Sequence, residues 1–402
     1  MSSHADDGSE VADLGLLSPV WAGTVGERLT GDRAVLTAMV RAESVLLDAL
    51  VEAGVAPRTA KPAMELVASF SPDIRALALA APAGGNPVIE LVRQLRAAVR
   101  GQLGEEAAGW VHHGATSQDI LDTALMLVAA ETARHIEADL ARLAGSVAWI
   151  ADHHRAVPMV ARTLTQQALP TTLGMRAAGW LAGLHDAVRV VRTCTVLPVS
   201  LGGPVGTAAT YGARGPAVLD AFAAALGQRA PVSSWHTRRT PVLGLATALT
   251  ITGEACGKIA ADLLVMSQSE VAEAHEGTAG GSSSMSHKTN PTRSVLVASA
   301  ARQLPALASV LAGAGAAEQE RPAGAWHAEW QPLRTMLRLT AGATERTEVL
   351  VRDVRFDAAA MQANLDQLVA TAGEDADWEQ EHLAAVAVWV DRVLAQHEEV
   401  FG

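Results

Sequence analysis

An all-α protein, built as a bundle of long packed helices, is what this chain predicts. Two observations carry that expectation. Of the 402 residues 49% are hydrophobic but only 3% aromatic, so alanine, valine and leucine must fill the core. That composition favours close-packed helices over a β-sandwich, which draws on aromatic and β-branched residues. The second observation is a gap in the prolines: none occurs between Pro87 and Pro158. Within that gap, from Asp119 to about His153, apolar side chains fall at helical spacing at Leu121, Leu125, Val128, Ile136, Leu140, Leu143, Val147 and Ile150. A helix of about 35 residues spans roughly 50 Å.

Residues 1–12 are polar and are expected to be a disordered tail. Residues 13–100 are broken by Pro57, Pro62, Pro72, Pro82 and Pro87 into short helical stretches, an N-terminal helical domain. Residues 101–345 form the central long-helix bundle, with further helices expected at about 171–197, 242–275, 292–304 and 333–352. In the stretch 242–275 the early charges Glu254, Lys258 and Asp262 recur every four residues, one narrow polar stripe on an otherwise apolar helix. Its other faces need burial by neighbouring helices, as inside a large bundle. Residues 346–402 form a shortened C-terminal helical region.

A net charge of −12 argues against nucleic acid as a partner and requires an anionic ligand to find a local basic site. Cys194 and Cys256 have no metal or redox spacing and suit the core. Met1–Glu10 is polar and acidic, unlike a signal peptide, and no apolar run of about 18 residues is evident, so a soluble cytoplasmic protein without a membrane partner is expected. No histidine–carboxylate cluster has metal spacing, and neither a Gly-rich nucleotide loop nor a Ser-His-Asp order is present, so no cofactor is expected.

Three segments carry chemistry. Gly281-Ser-Ser-Ser-Met-Ser-His-Lys-Thr-Asn-Pro291 places hydroxyls and the cationic Lys288 before Asn290-Pro291, a pair suited to the N-cap and first position of a helix. A helix N-terminus favours anions, so this loop suits a carboxylate. Trp110-Val-His-His-Gly-Ala-Thr-Ser-Gln-Asp-Ile-Leu-Asp-Thr123 has capping-box spacing at Thr116 and Asp119, and presents Thr116, Ser117 and Gln118 at another helix start. Arg162-Thr-Leu-Thr-Gln-Gln-Ala-Leu-Pro-Thr-Thr-Leu-Gly174 offers Gln166 and Gln167, which exchange hydrogen bonds but cannot act as general acids.

Together these segments resemble the three site segments of the fumarase/aspartase superfamily, over about residues 15–365 with a weaker echo near Leu383–Gln396. Within it the chain is most similar to the bacterial branch that cyclises 3-carboxy-cis,cis-muconate, through the Gly-Ala-Thr-Ser-Gln-Asp form, Trp235-His-Thr237 and Gly324-Ala-Trp-His-Ala-Glu-Trp330. The resemblance implies a cofactor-independent enzyme acting on a small di- or tricarboxylate, and a homotetramer whose sites are each assembled from three subunits. It implies Ser282 as catalytic base, activated by Lys288 and backbone N–H groups, and His112 as a site histidine. It implies carboxylate binding by Thr116, Ser117, Gln118 and Asn290; Gln166, Gln167 and His287 join them as substrate-binding candidates, and Arg321 suits either a substrate carboxylate or a structural ion pair.

The chain departs from the superfamily in five places. Ser286 replaces the proline of the signature loop. Leu164 stands where many members have histidine and the cycloisomerase branch has tryptophan. Gln167 stands where that branch has histidine, Arg239-Thr-Pro241 where the family has Arg-Asp-Arg, and the third domain is internally shortened. Three readings follow: cycloisomerisation of 3-carboxy-cis,cis-muconate to a lactone; β-elimination of fumarate from a nitrogen-substituted succinate, nitrosuccinate included; or an inactive helical homologue.

Overall fold

The computed structural model describes residues 13–277, 280–281, 285, 288–372 and 378–401. The chain is the all-α bundle that its composition predicts. Five helices dominate: α6 (Ser117–His153), α7 (Leu173–Arg192), α9 (Thr240–Met266), α10 (Thr292–Ala314) and α11 (Ala325–Asp353). Before them come α1 (Val25–Leu29), α2 (Asp32–Glu52), α3 (Lys61–Ala68), α4 (Ile74–Gly84) and α5 (Val88–Gly109). The helix α8 (Gly215–Leu226) packs on α2, and α12 (Ala358–Ala372) and α13 (Trp378–Phe401) close the C-terminal side. Small strands link them: β1 (Pro158–Thr163) with β2 (Gln166–Thr172), β3 (Ala274–His275) with β6 (Arg355–Phe356), and β4 (Gly280–Gly281) with β5 (Thr289–Asn290), each pair antiparallel.

Contacts fix the helix directions. The start of α6 meets the starts of α9 and α11, because Asp122 bonds Arg239 and Trp326. Its far end meets β6, where His154 packs edge-on against Phe356. Thus α6, α9 and α11 run one way. The helix α7 returns from the far end, where the Leu173 and Gly174 N–H groups donate to the Val157 and His154 carbonyls, and α10 starts there as well, with Arg293 beside Asp353. The core between them is the expected small aliphatic one, with Ala124, Ala133, Ala144, Leu140 and Leu143 of α6 fully buried.

Several boundaries differ from expectation. The helix α9 ends at Met266, nine residues early, and the chain turns through Ala272 (φ 52°) into β3. By contrast, α10 runs on through Pro305 and α11 starts early enough to contain Pro332. Packing in the bundle outweighs the roughly 3 kcal/mol that proline costs inside a helix. By length and composition α9 and α10 are also apolar enough to cross a membrane, which corrects the expectation that no such run exists. Half of the most apolar stretch of α9 is buried inside the chain, against 28% for α10. Both cysteines are free and buried, as expected.

Candidate active site

At the start of α6, Asp119 organises the first site segment. It is fully buried and accepts from the Thr116 N–H (3.0 Å), the Gly202 N–H (2.7 Å) and the Gly203 N–H (2.8 Å). Its Oδ1 also lies 2.7 Å from His236 Nε2. One carboxylate thereby ties the first turn of α6 to the loop 200–206 and to the Trp235-His236 segment. The approach is close. A Cβ on Gly203 would sit 2.8 Å from the Gly114 carbonyl oxygen, and one on Gly114 would sit 2.5 Å from the Tyr211 ring. Both residues have positive φ, so glycine is required on both counts.

Arg321 comes to the same place from more than 200 residues away, donating from Nη2 to Thr116 Oγ1 at 2.9 Å and to the Pro204 carbonyl at 3.3 Å. Thr116, Ser117 and Arg321 therefore share one accessible ledge at the N-terminus of α6. Gln118 does not join them. It points inward, fully buried, and donates from Nε2 to the His236 carbonyl at 2.9 Å. The helix turn that presents Ser117 outward carries its neighbour inward, where the Gln118 Oε1 has no hydrogen-bond partner among the described residues.

His112 lies just behind the ledge in a left-handed conformation (φ 59°) and pairs through Nδ1 with Glu43 Oε1 at 2.6 Å. Burial opposes its charge, but the Glu43 carboxylate and its hydrogen bond outweigh burial and raise the His112 pKa above its ordinary value of 6.5. The linked stability has a definite sign. Because the folded pKa is the higher one, the ion pair contributes fully below the unfolded value and is lost as pH rises through the folded value. Glu43→Gln should therefore cost the protein more melting temperature at pH about 6 than at pH about 9. An equal cost at both would show that His112 does not titrate against Glu43. The neighbouring His113 is pushed the other way, by burial and then by Arg96.

Beneath the ledge lies a buried charge cluster. Arg239 donates to Asp122 from Nη1 (2.7 Å) and Nη2 (3.1 Å), and to Glu329 from Nη2 (2.6 Å) and Nε (3.0 Å). Trp326 Nε1 donates to Asp122 Oδ1 at 2.9 Å. Burial raises the Glu329 pKa, against the pull of Arg239. Sequence reasoning noted Arg239 only for its altered neighbours, and gave Asp122 and Glu329 no role. Trp326 is buried.

The other two segments lie at the opposite end of the bundle. A helix of 37 residues puts roughly 55 Å between the ends of α6. The second segment is the β1–β2 hairpin, which the sequence reading missed, leading into the start of α7 at Leu173. Arg162 anchors it by a two-pronged ion pair to the buried Glu273 (2.7 and 3.0 Å), and Asn364 donates to the same carboxylate at 2.9 Å. Its two-residue tip, Leu164-Thr165, is held at φ 49° and 69°, as a hairpin turn of this length requires. Leu164 is 95% exposed there, and Gln166 and Gln167 are exposed on β2.

In the third segment β4 and β5 pair Gly280 with Asn290, and Lys288 is exposed between them. Ser282, Ser286 and His287 lie outside the described residues. Asn290 and Pro291 do not cap α10 in the expected register, because Asn290 belongs to β5 and the helix begins at Thr292. Glu276 provides the cap. Its carboxylate accepts from the Arg293 N–H (3.1 Å), the Ser294 N–H (2.9 Å) and Ser294 Oγ (2.7 Å). Within one chain, then, His112, Thr116, Ser117 and Arg321 are together, and Gln166, Gln167, Lys288 and Asn290 are at the far end.

The sequence matches a family described as Lyase over residues 21–305. It is 44% identical to a nitrosuccinate lyase from Streptomyces davaonensis over 371 residues, covering 89% of this chain and 78% of that protein. It is 38% identical to a 3-carboxy-cis,cis-muconate cycloisomerase from Bradyrhizobium diazoefficiens over 357 residues, 87% of this chain and 79% of that protein. The fold is similar to the crystal structure of the 3-carboxy-cis,cis-muconate lactonizing enzyme from Pseudomonas putida, with a TM-score of 0.86 at 30% identity, covering 96% of this chain and all of that one. With its segments, bundle and relatives in agreement, the chain belongs to the fumarase/aspartase superfamily of lyases and isomerases.

Proposed function

We propose that the chain is a cofactor-independent lyase that eliminates nitrite from a nitro-substituted succinate, giving fumarate. The observation that carries this reading is the 44% identity to a nitrosuccinate lyase across 89% of the chain. The second segment supports it chemically. Leu164 and Gln167 supply no general acid, and nitrite, a weakly basic anion at neutral pH, leaves without one. The base, for which Ser282 is the candidate, removes a proton from the carbon beside one carboxylate. That electron pair forms the double bond, and the carbon–nitrogen pair departs with nitrite. Lys288 and the Thr116–Ser117–Arg321 ledge hold the two carboxylates and stabilise the charge that builds up beside one of them.

The separation of the segments along α6 supports a site completed by other copies of the chain, in a homotetramer that joins opposite bundle ends. The largely uncovered apolar α10 offers such an assembly a face.

Cycloisomerisation is the second reading, favoured by the fold similarity to the Pseudomonas putida enzyme. There a substrate carboxylate adds across a conjugated double bond, and the carbon next to another carboxylate takes up a proton. The test is to give purified protein nitrosuccinate and 3-carboxy-cis,cis-muconate in parallel. Fumarate and nitrite released in equal amounts support the elimination. Loss of diene absorbance without nitrite release replaces it with the lactonisation. Turnover of neither substrate leaves the inactive homologue.

A further inference from the structure

Midway along the bundle, well away from the site segments, α6 and α11 bring three ligating side chains together. His135 and Asp139 are one helical turn apart on α6, and Glu345 reaches them from α11. Their ligating atoms all lie within 4.8 Å of one another. His135 Nε2 is 3.2 Å from Asp139 Oδ2 and 4.0 Å from Glu345 Oε2. Ligands held at about 2.1 Å around a tetrahedral zinc ion stand about 3.4 Å apart, so small side-chain adjustments would close the shell.

The independent sign of a ligand is the state of the buried atoms. Asp139 is 1% exposed, and its Oδ2 has no hydrogen-bond partner among the described residues; neither has His135 Nε2. The two atoms lie 3.2 Å apart without a well-formed hydrogen bond; a buried polar atom left so is costly, and an ion seated beside both would satisfy them. The surrounding charges allow a cation. Arg142 holds the other Asp139 oxygen and leaves Oδ2 facing His135, and Arg352 pairs with Glu348. Glu345 has no arginine or lysine partner among the described residues and is steadied by the Val25 N–H of α1, 3.2 Å from its Oε2.

We propose that His135, Asp139 and Glu345 form a structural site for a divalent transition ion of the zinc type, stapling α6 to α11 beside α1. One imidazole and two carboxylates suit such an ion, with water completing the shell. Because the residues come from two helices and the third ligand is distant in sequence, spacing along the chain does not reveal the site.

The test is calorimetric titration of tag-free, chelator-treated full-length protein with zinc chloride, beside His135→Ala and Asp139→Asn, with circular dichroism confirming the fold of each. The expected result is one zinc ion per chain in the wild type and binding weakened roughly tenfold or more in each folded variant. His135 is only partly buried, so His135→Ala decides the matter if Asp139→Asn does not fold. Absence of stoichiometric binding in the wild type, or unchanged affinity in His135→Ala, would overturn the proposal. Nitrosuccinate and muconate turnover are independent of this readout.

Discussion

Arg239→Met is expected to be the most destabilising single substitution around the site. It removes the one cation that satisfies both Asp122 and Glu329, which are 1% and 2% exposed. Two carboxylates then remain buried side by side, with only Trp326 Nε1, among the described residues, donating to either in place of five guanidinium hydrogen bonds. Breaking a buried pair by deleting one partner costs about 3–5 kcal/mol, because the remaining charge keeps its desolvation penalty. Urea or thermal unfolding should show a loss of that size. A companion variant that also carries Asp122→Asn and Glu329→Gln should regain much of it, since neither carboxylate is then left ionised. A loss below about 1 kcal/mol for Arg239→Met would mean that water reaches the cluster in solution. Activity should fall too, because Asp122 sits one turn below the ledge formed by Thr116 and Ser117.

Ser282→Ala should lower kcat roughly 10²–10⁴-fold, the usual contribution of a general base, while leaving substrate affinity nearly intact. A free serine hydroxyl holds its proton far too firmly to act at neutral pH. In the proposed scheme Lys288 supplies the cation that favours the ionised hydroxyl. Lys288→Met should differ in kind, raising KM as well, since Lys288 also binds a substrate carboxylate in the proposed scheme. Steady-state kinetics on whichever substrate is turned over separates the two effects. Undiminished turnover by Ser282→Ala would remove Ser282 from the chemistry without touching the assignment of the family.

Much of this architecture could be read from the residues. The helix expected over 119–153 is found at 117–153 because its apolar period is long and unbroken by proline. The pairing of Thr116 with Asp119 was legible as a cap, and the Asp119 half of that exchange is present. What stayed hidden depends on contacts distant in sequence. Asp119 reads locally as a cap, yet most of its donors come from residues 202, 203 and 236. The β1–β2 hairpin was masked by a tip, Leu164-Thr165, with none of the Asn-Gly chemistry that announces such a turn. The cap of α10 was assigned to Asn290, the nearest suitable residue, whereas Glu276 reaches it from the preceding strand connection.

That last detail bears on how the far end of the bundle attracts anions. A free helix N-terminus would be a rigid, directional lure made of backbone dipoles. In α10 the chain has already set its own carboxylate in that seat, so the pull on an incoming dianion falls to side-chain cations such as Lys288. In the single chain Lys288 is exposed on a flexible stem, where counter-ions screen it over about 8 Å at physiological ionic strength. On the proposed reading, capture of substrate at this end then depends on the medium as well as on the fold, strong in dilute buffer and muted in salt.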